Sequence, residues 1–388
     1  MGATIGTKCL KVAAAGMVMA FSGAGAARAD IIKVGDMVRG VQISQQQCAA
    51  IGQAVWVKVH RQGFCIRYYL STDGGWQGKP IIILSGDKLG RLDSRSRNFL
   101  PSPDLQDIDT NALRKRASSL SRAARGPAIY LARVGIDGSS GHHSVRRTVL
   151  ELHVTNAALE QLRMKYNFEG FHLVGQSGGS ALTGGLLAMR NDIGCAVPGA
   201  GRLSRLRHQR ETGDPSRDYF DPEDAIGLIA ANRGARIIVV TDPRDQVVGV
   251  QHQVTFVNAL RRHGRAVEQY FVQATDEKNH AVYAYASRAV ALCAQNAPST
   301  RISTELDLLV QKRTAEAQQG RQPQNIPSAM PPSAPYTAGA AASGYPQQTP
   351  YQYQAGQTPQ YRQHIQLPPH HNWSSMPPRA QNNGPVYR

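Results

Sequence analysis

A chain of 388 residues with a formal charge of +17 has room for one large domain or two ordinary ones, and its basic balance favours anionic surroundings such as envelope polymers, lipid head groups or nucleic acid. No nucleic-acid-binding motif accompanies the charge, so solvated surface charge is the default reading. The cysteines form no CxxC pair and no cluster with histidine, which argues against a metal site.

Residues 1–29 have the layout of a secretory signal peptide. Lys8 and Lys11 precede a small, apolar run from Val12 to Ala27, and Ala27-Arg28-Ala29 offers an A-x-A cleavage site. Export to a periplasm or the medium follows as the expectation, with no transmembrane anchor after cleavage. Loss of the leader removes Cys9 and leaves Cys48, Cys65, Cys195 and Cys293, an even number that permits disulfides. Cys48–Cys65 is the expected bridge, because the stretch between them suggests a strand and a turn. Cys195 and Cys293 form a second bridge or stay as buried thiols.

Residues 30–300 alternate between strand and helix patterns. VWVKV and FCIRYYLS suggest an antiparallel hairpin, and PIIILSG (80–86) is an apolar strand. A helical pattern over 110–126 leads to a strand over 127–135, then to a long amphipathic helix over 143–166. FHLVG (171–175) is a short buried strand, followed by a helix in GGSALTGGLLAMRN. Three more strands are expected in IGCAVPG, ARIIVVTD (235–242) and VEQYFVQA (267–274), with a helix in HQVTFVNALRRHG and a closing helix in AVYAYASRAVALCA. Apolar strands separated by helices predict a mostly parallel sheet with helices on both faces. A C-terminal helix is expected over 301–321. Residues 322–388 are rich in Pro, Gln and Tyr, hold no acidic residue, and are expected to be disordered.

The stretch FHLVGQSGGSALTGGLLAM places Ser177 between a strand and a helix, with Gly175 two residues before it and Gly179 two after. Small residues at those positions let a strand and a helix converge on a tight turn that projects a serine hydroxyl. GQSGG is also similar to the GDSGG of chymotrypsin-like proteases, but no matching histidine stretch precedes it and a helix follows at once. From about Cys48 to Ala294 the chain resembles the α/β-hydrolase-fold serine hydrolases, of the esterase, lipase and peptidase type. In that family the nucleophile is followed along the chain by an acid and then a histidine. The resemblance assigns Ser177 as nucleophile, Asp245 in DPRDQVVGV as acid with Asp242 as fallback, and His280 in the loop after the last strand. His252 and His263 read as surface residues.

The backbone N–H of Gly178 is the expected first oxyanion donor. The resemblance puts the second after PIIILSG, where many members have His-Gly and this chain has Ser85-Gly86-Asp87, so Asp87 or Gly86 is the expected donor. A carboxylate there is unfavourable unless paired or turned away. Gly135, Gly138 and Gly141 read as architectural. A short cap is expected over 202–228, where Arg205 and Arg207 could contact an anionic substrate; a solvated basic face is the plainer reading.

These readings predict an exported serine hydrolase acting on a carboxylic ester or a peptide or amide bond, with no cofactor required. The alternative is a catalytically inactive member of the fold that binds the cell envelope or a partner through its basic body and tail.

Overall fold

The computed structural model describes residues 30–92, 99–102, 105–204 and 219–319. The expected leader, the tail, Arg205 and Arg207 lie outside these residues, as does much of the expected cap.

An eight-stranded sheet forms the centre. Its strands in chain order are β2 (Ala54–Val59), β3 (Gln62–Ser71), β4 (Ile81–Leu84), β8 (Ala128–Leu131), β9 (Phe171–Gln176), β10 (Ile193–Gly199), β11 (Arg236–Thr241) and β12 (Glu268–Phe271). Across the sheet they run β12-β11-β10-β9-β4-β8-β3-β2. β3 pairs antiparallel with both β2 and β8, and the pairings from β8 to β12 are all parallel. The short strands β1 (Ile31–Ile32) with β7 (Ile108–Asp109), and β5 (Leu89–Leu92) with β6 (Phe99–Pro101), form two separate ribbons.

Side chains alternate across a strand, and that alternation divides the interior into two cores. Ile82, Leu84, Leu173, Ile237 and Val239 face one way and meet α4 (Val149–Tyr166), α5 (Gly178–Met189) and α7 (Gln251–Arg262). Ile81, Ile83, Val174, Ile238 and Val240 face the other way and meet α3 (Thr110–Ala124), α8 (Tyr283–Ala294) and α9 (Ser299–Gln319). Helices thus cover both faces, which is why these strands are apolar at every position. The expected C-terminal helix is α9, and it buries Ile302 and Leu306 in the second core.

The expected Cys48–Cys65 disulfide is present, and Cys195 and Cys293, left open between a bridge and buried thiols, form a second one. Cys48–Cys65 ties the small helix α2 (Gln45–Ala49) to β3, and Cys195–Cys293 ties β10 to α8 across one face.

Several expected elements are shorter in the structure, among them the strands over 80–86 and 267–274, which span Ile81–Leu84 and Glu268–Phe271. The strand predicted over 127–135 ends at Leu131, and a loop follows in which Gly135, Gly138 and Gly141 take φ of 73°, 90° and 95°. The helix predicted over 143–166 begins at Val149, because Arg147 adopts φ 62° and cannot continue a helix. Thr148 then caps α4, its hydroxyl accepting from the Glu151 N–H. His252 is also reassigned: it is 2% exposed, with Nδ1 3.1 Å from the Ser204 carbonyl, whereas His263 is exposed as expected.

Candidate active site

β9 runs into α5 through a turn of one residue. Ser177 has φ 54° and ψ −117°, a region that non-glycine side chains seldom occupy. Its flanking glycines are required by contact. A Cβ on Gly175 would lie 2.4 Å from the Gly179 carbonyl oxygen, and one on Gly179 would lie 2.1 Å from that of Leu84. The Ser177 N–H donates to Gly199 O at 3.0 Å. The Ser180 hydroxyl lies 2.9 Å from Gly175 O and 2.6 Å from Gly199 O, tying the first turn of α5 to β9 and β10. Ser177 itself stays half-buried, and Gly178 begins the helix, where free N–H groups and the positive helix end meet.

Asp245 sits in the turn after β11. Its buried carboxylate accepts from the N–H groups of Val247 and Val248 through Oδ1, at 2.8 and 2.9 Å. Its Oδ2 lies 2.8 Å from His280 Nδ1. Asp242, the fallback acid, is engaged elsewhere: it accepts from the Arg244 guanidinium and from the Ala274 N–H, and so shapes the turn. Burial works against its charge, but Arg244 and those N–H groups hold its carboxyl below the ordinary value.

His280 lies between β12 and α8. The Asp276 carboxylate accepts from the N–H groups of His280 and Ala281. Gln176, the residue just before Ser177, donates from Nε2 to the His280 carbonyl at 2.8 Å. The histidine loop is therefore anchored to the serine turn itself. Gln176 and Asp276 carry no motif, and nothing in the sequence singles them out.

The loop after β4 faces the same turn. A Cβ on Gly86 would lie 3.3 Å from Ser177 Cβ and 4.0 Å from its Oγ. A Cβ on Gly178 would lie 1.9 Å from Asp87 Oδ1, so the Asp87 carboxylate rests against the start of α5. It is paired. Arg133 Nη1 lies 2.8 Å from Oδ1, and Arg147 Nε and Arg146 Nε lie 2.9 and 3.5 Å from Oδ2. Burial raises the Asp87 pKa, but Arg147, Arg133 and Arg146 outweigh it and hold the carboxyl far below the usual range. Arg133 is fully buried, donates as well to Ser85 O at 3.0 Å, and is gripped by both carboxylate oxygens of Glu151 at 2.8 and 2.9 Å. One buried guanidinium thus fixes the whole Ser85-Gly86-Asp87 loop, a role no local pattern announces.

A mostly parallel sheet with its second strand reversed carries Ser177 on a strained strand–helix turn. An aspartate follows on the loop after β11, and a histidine after β12. The fold is that of the α/β-hydrolases.

In structure the chain is similar to an acylaminoacyl peptidase of Pyrococcus horikoshii, at 12% identity and a TM-score of 0.41, over 56% of this chain and 36% of the peptidase. It is also similar to an esterase of Pyrococcus furiosus, at 12% identity and a TM-score of 0.44, over 66% of this chain and 97% of the esterase. The chain therefore spans little more than a third of the length of the peptidase. No family model matches the chain, and no curated protein matches its sequence. Among the described residues no group of His, Cys, Asp and Glu could hold a metal ion, and no helix is long and apolar enough to cross a membrane.

Proposed function

We propose that this α/β-hydrolase-fold chain is an exported serine hydrolase that cleaves a carboxylic ester or a peptide or amide bond through an acyl-enzyme on Ser177. One observation carries the reading: the strained Ser177 turn is linked through Gln176 to a histidine whose Nδ1 is held by a buried aspartate.

Ser177 Oγ attacks the substrate carbonyl carbon while His280 Nε2 accepts its proton. Asp245 keeps the proton on Nδ1 and stabilises the imidazolium. The oxyanion that forms is met by the Gly178 N–H at the start of α5 and by the N–H of Asp87 or Gly86. His280 then returns its proton to the leaving alkoxide or amine. Water repeats the cycle on the acyl group and frees Ser177. The Asp87 carboxylate does not oppose the developing charge, because three guanidinium groups already offset it. Export is supported by the leader pattern and is compatible with two disulfides.

Turnover of a panel of p-nitrophenyl esters and peptide anilides tests the proposal. The wild type should hydrolyse one class, and His280→Ala should lower kcat by about 10⁴-fold. Equal rates in both proteins would refute it.

A further inference from the structure

A cavity of about 800 Å³ opens at the amino-terminal ends of β9 to β12, the end of the sheet opposite Ser177. That volume is typical of small-molecule sites. Its lining is strongly basic: Arg233, Arg236, Arg261 and Arg265 stand against one acidic residue, Glu268. Glu268 is already taken, since Arg236 holds it through Nε and Nη2 at 2.6 and 3.1 Å. Arg233, Arg261 and Arg265 have no carboxylate within ion-pair distance among the described residues.

Arg265 is 8% exposed, and its Nε has no hydrogen-bond partner. Burial, and then the charge of Arg233, push its guanidinium below the ordinary value. His172 also lines the cavity, and its buried Nδ1 has no partner. Gly194 leaves that ring open, since a Cβ there would lie 3.0 Å from Nδ1.

Anchoring the loops does not explain these charges. Arg233 donates to Gly264 O at 2.8 Å, Arg261 lies 3.5 Å from Val267 O, and Arg265 donates to Ala235 O. A neutral amide could make bonds of that kind without the cost of gathering like charges and burying one of them. An oxyanion would offset the charge, and the planar guanidinium fork matches both phosphate and carboxylate.

We propose that this cavity binds a multiply charged oxyanion of small-molecule size, a phosphate or carboxylate compound, through Arg233, Arg261 and Arg265. The site is separate from Ser177, and its test does not depend on catalysis.

Titration calorimetry of the full chain at about 0.15 M salt, with pyrophosphate, citrate and uncharged trehalose, tests it. Binding of at least one anion and not of trehalose is expected. Pyrophosphate alone would indicate a phosphate ligand, and citrate alone a carboxylate ligand. The double variant Arg233→Gln/Arg261→Gln changes two exposed side chains and should melt like the wild type. It should bind about tenfold more weakly or worse, the loss expected on removing charge-assisted hydrogen bonds. Arg265→Gln removes a buried group and endangers folding, so the exposed pair carries the test. Arg122→Gln, an exposed change on α3, should leave binding intact. No binding of either anion, or an equal loss in Arg122→Gln, would overturn the proposal.

Discussion

Ser177 holds a backbone conformation that costs a non-glycine residue about 1–3 kcal/mol. The bonds from Ser177 N–H to Gly199 O and from the Ser180 hydroxyl resist its relaxation. Beside it, Gln176 ties the serine turn to the histidine loop. If Gln176 positions His280 rather than merely bracing the fold, Gln176→Ala should lower kcat about 10- to 100-fold while KM moves only a few-fold. A KM rise at constant kcat, or a drop in Tm that accounts for the lost activity, would remove that role. At this scale the sequence was partly legible. Ser177, Asp245 and His280 each sit in a short stretch whose neighbours explain them. Gln176 and Asp276 act through backbone groups brought close only by the fold, and glutamine and aspartate in a loop look alike whether they hold a carbonyl or face water. His252 misled for a related reason: its helix reads as polar near that end, but Ser204 covers it.

Among the elements, the connection from β8 to α4 departs most from its sequence pattern. Helical spacing of apolar residues extends through HSVRRTVLELHV, yet the left-handed Arg147 delays the helix and turns two arginines toward Asp87. Arg133, Asp87 and Glu151 come from three separate segments, so no window of sequence could have joined them. The cluster also answers why this chain can carry aspartate where its resemblance leads one to expect His-Gly. Removing the central cation leaves the fully buried Glu151 carboxylate without its counter-charge and takes one of three guanidinium groups from Asp87. Arg133→Met should therefore destabilise the protein by about 3–5 kcal/mol in urea unfolding. A change below about 1 kcal/mol would mean that the carboxylates find other partners or water.

For the molecule as a whole, the alternation of strands and helices, the sheet and its two cores were legible, because buried parallel strands write themselves as continuous apolar runs. The Cys195–Cys293 bridge was left open, since nothing local relates residues 98 positions apart; closing a loop of that length stabilises by roughly 4–5 kcal/mol in the chain-entropy account. Buried and partly buried titratable groups set an acid limit. Asp87, Asp242, Asp276 and Glu268 all have lowered carboxyl pKa values, so their stabilisation is present above the unfolded values near ~4 and is lost as pH falls through the folded ones. Burial lowers His143 well below its ordinary value, and burial with the Lys79 charge lowers His172 to about 4. The unfolded chain takes up protons at these histidines below about pH 6.5 while the folded chain does not, so stability should decline from there downward. Urea midpoints measured between pH 7 and 4 should fall steadily, and His172→Gln should flatten part of that slope. A constant midpoint over this range would contradict the assignment of neutral buried histidines.

The central claim is that the turn in GQSGG presents an activated serine. Covalent labelling of the protein by a fluorophosphonate probe, located by mass spectrometry of the peptides, tests it most directly. The account predicts one phosphonyl group on Ser177 and none on the folded Ser177→Ala variant. A folded wild type that stays unlabelled, or equal labelling of the variant, would contradict it.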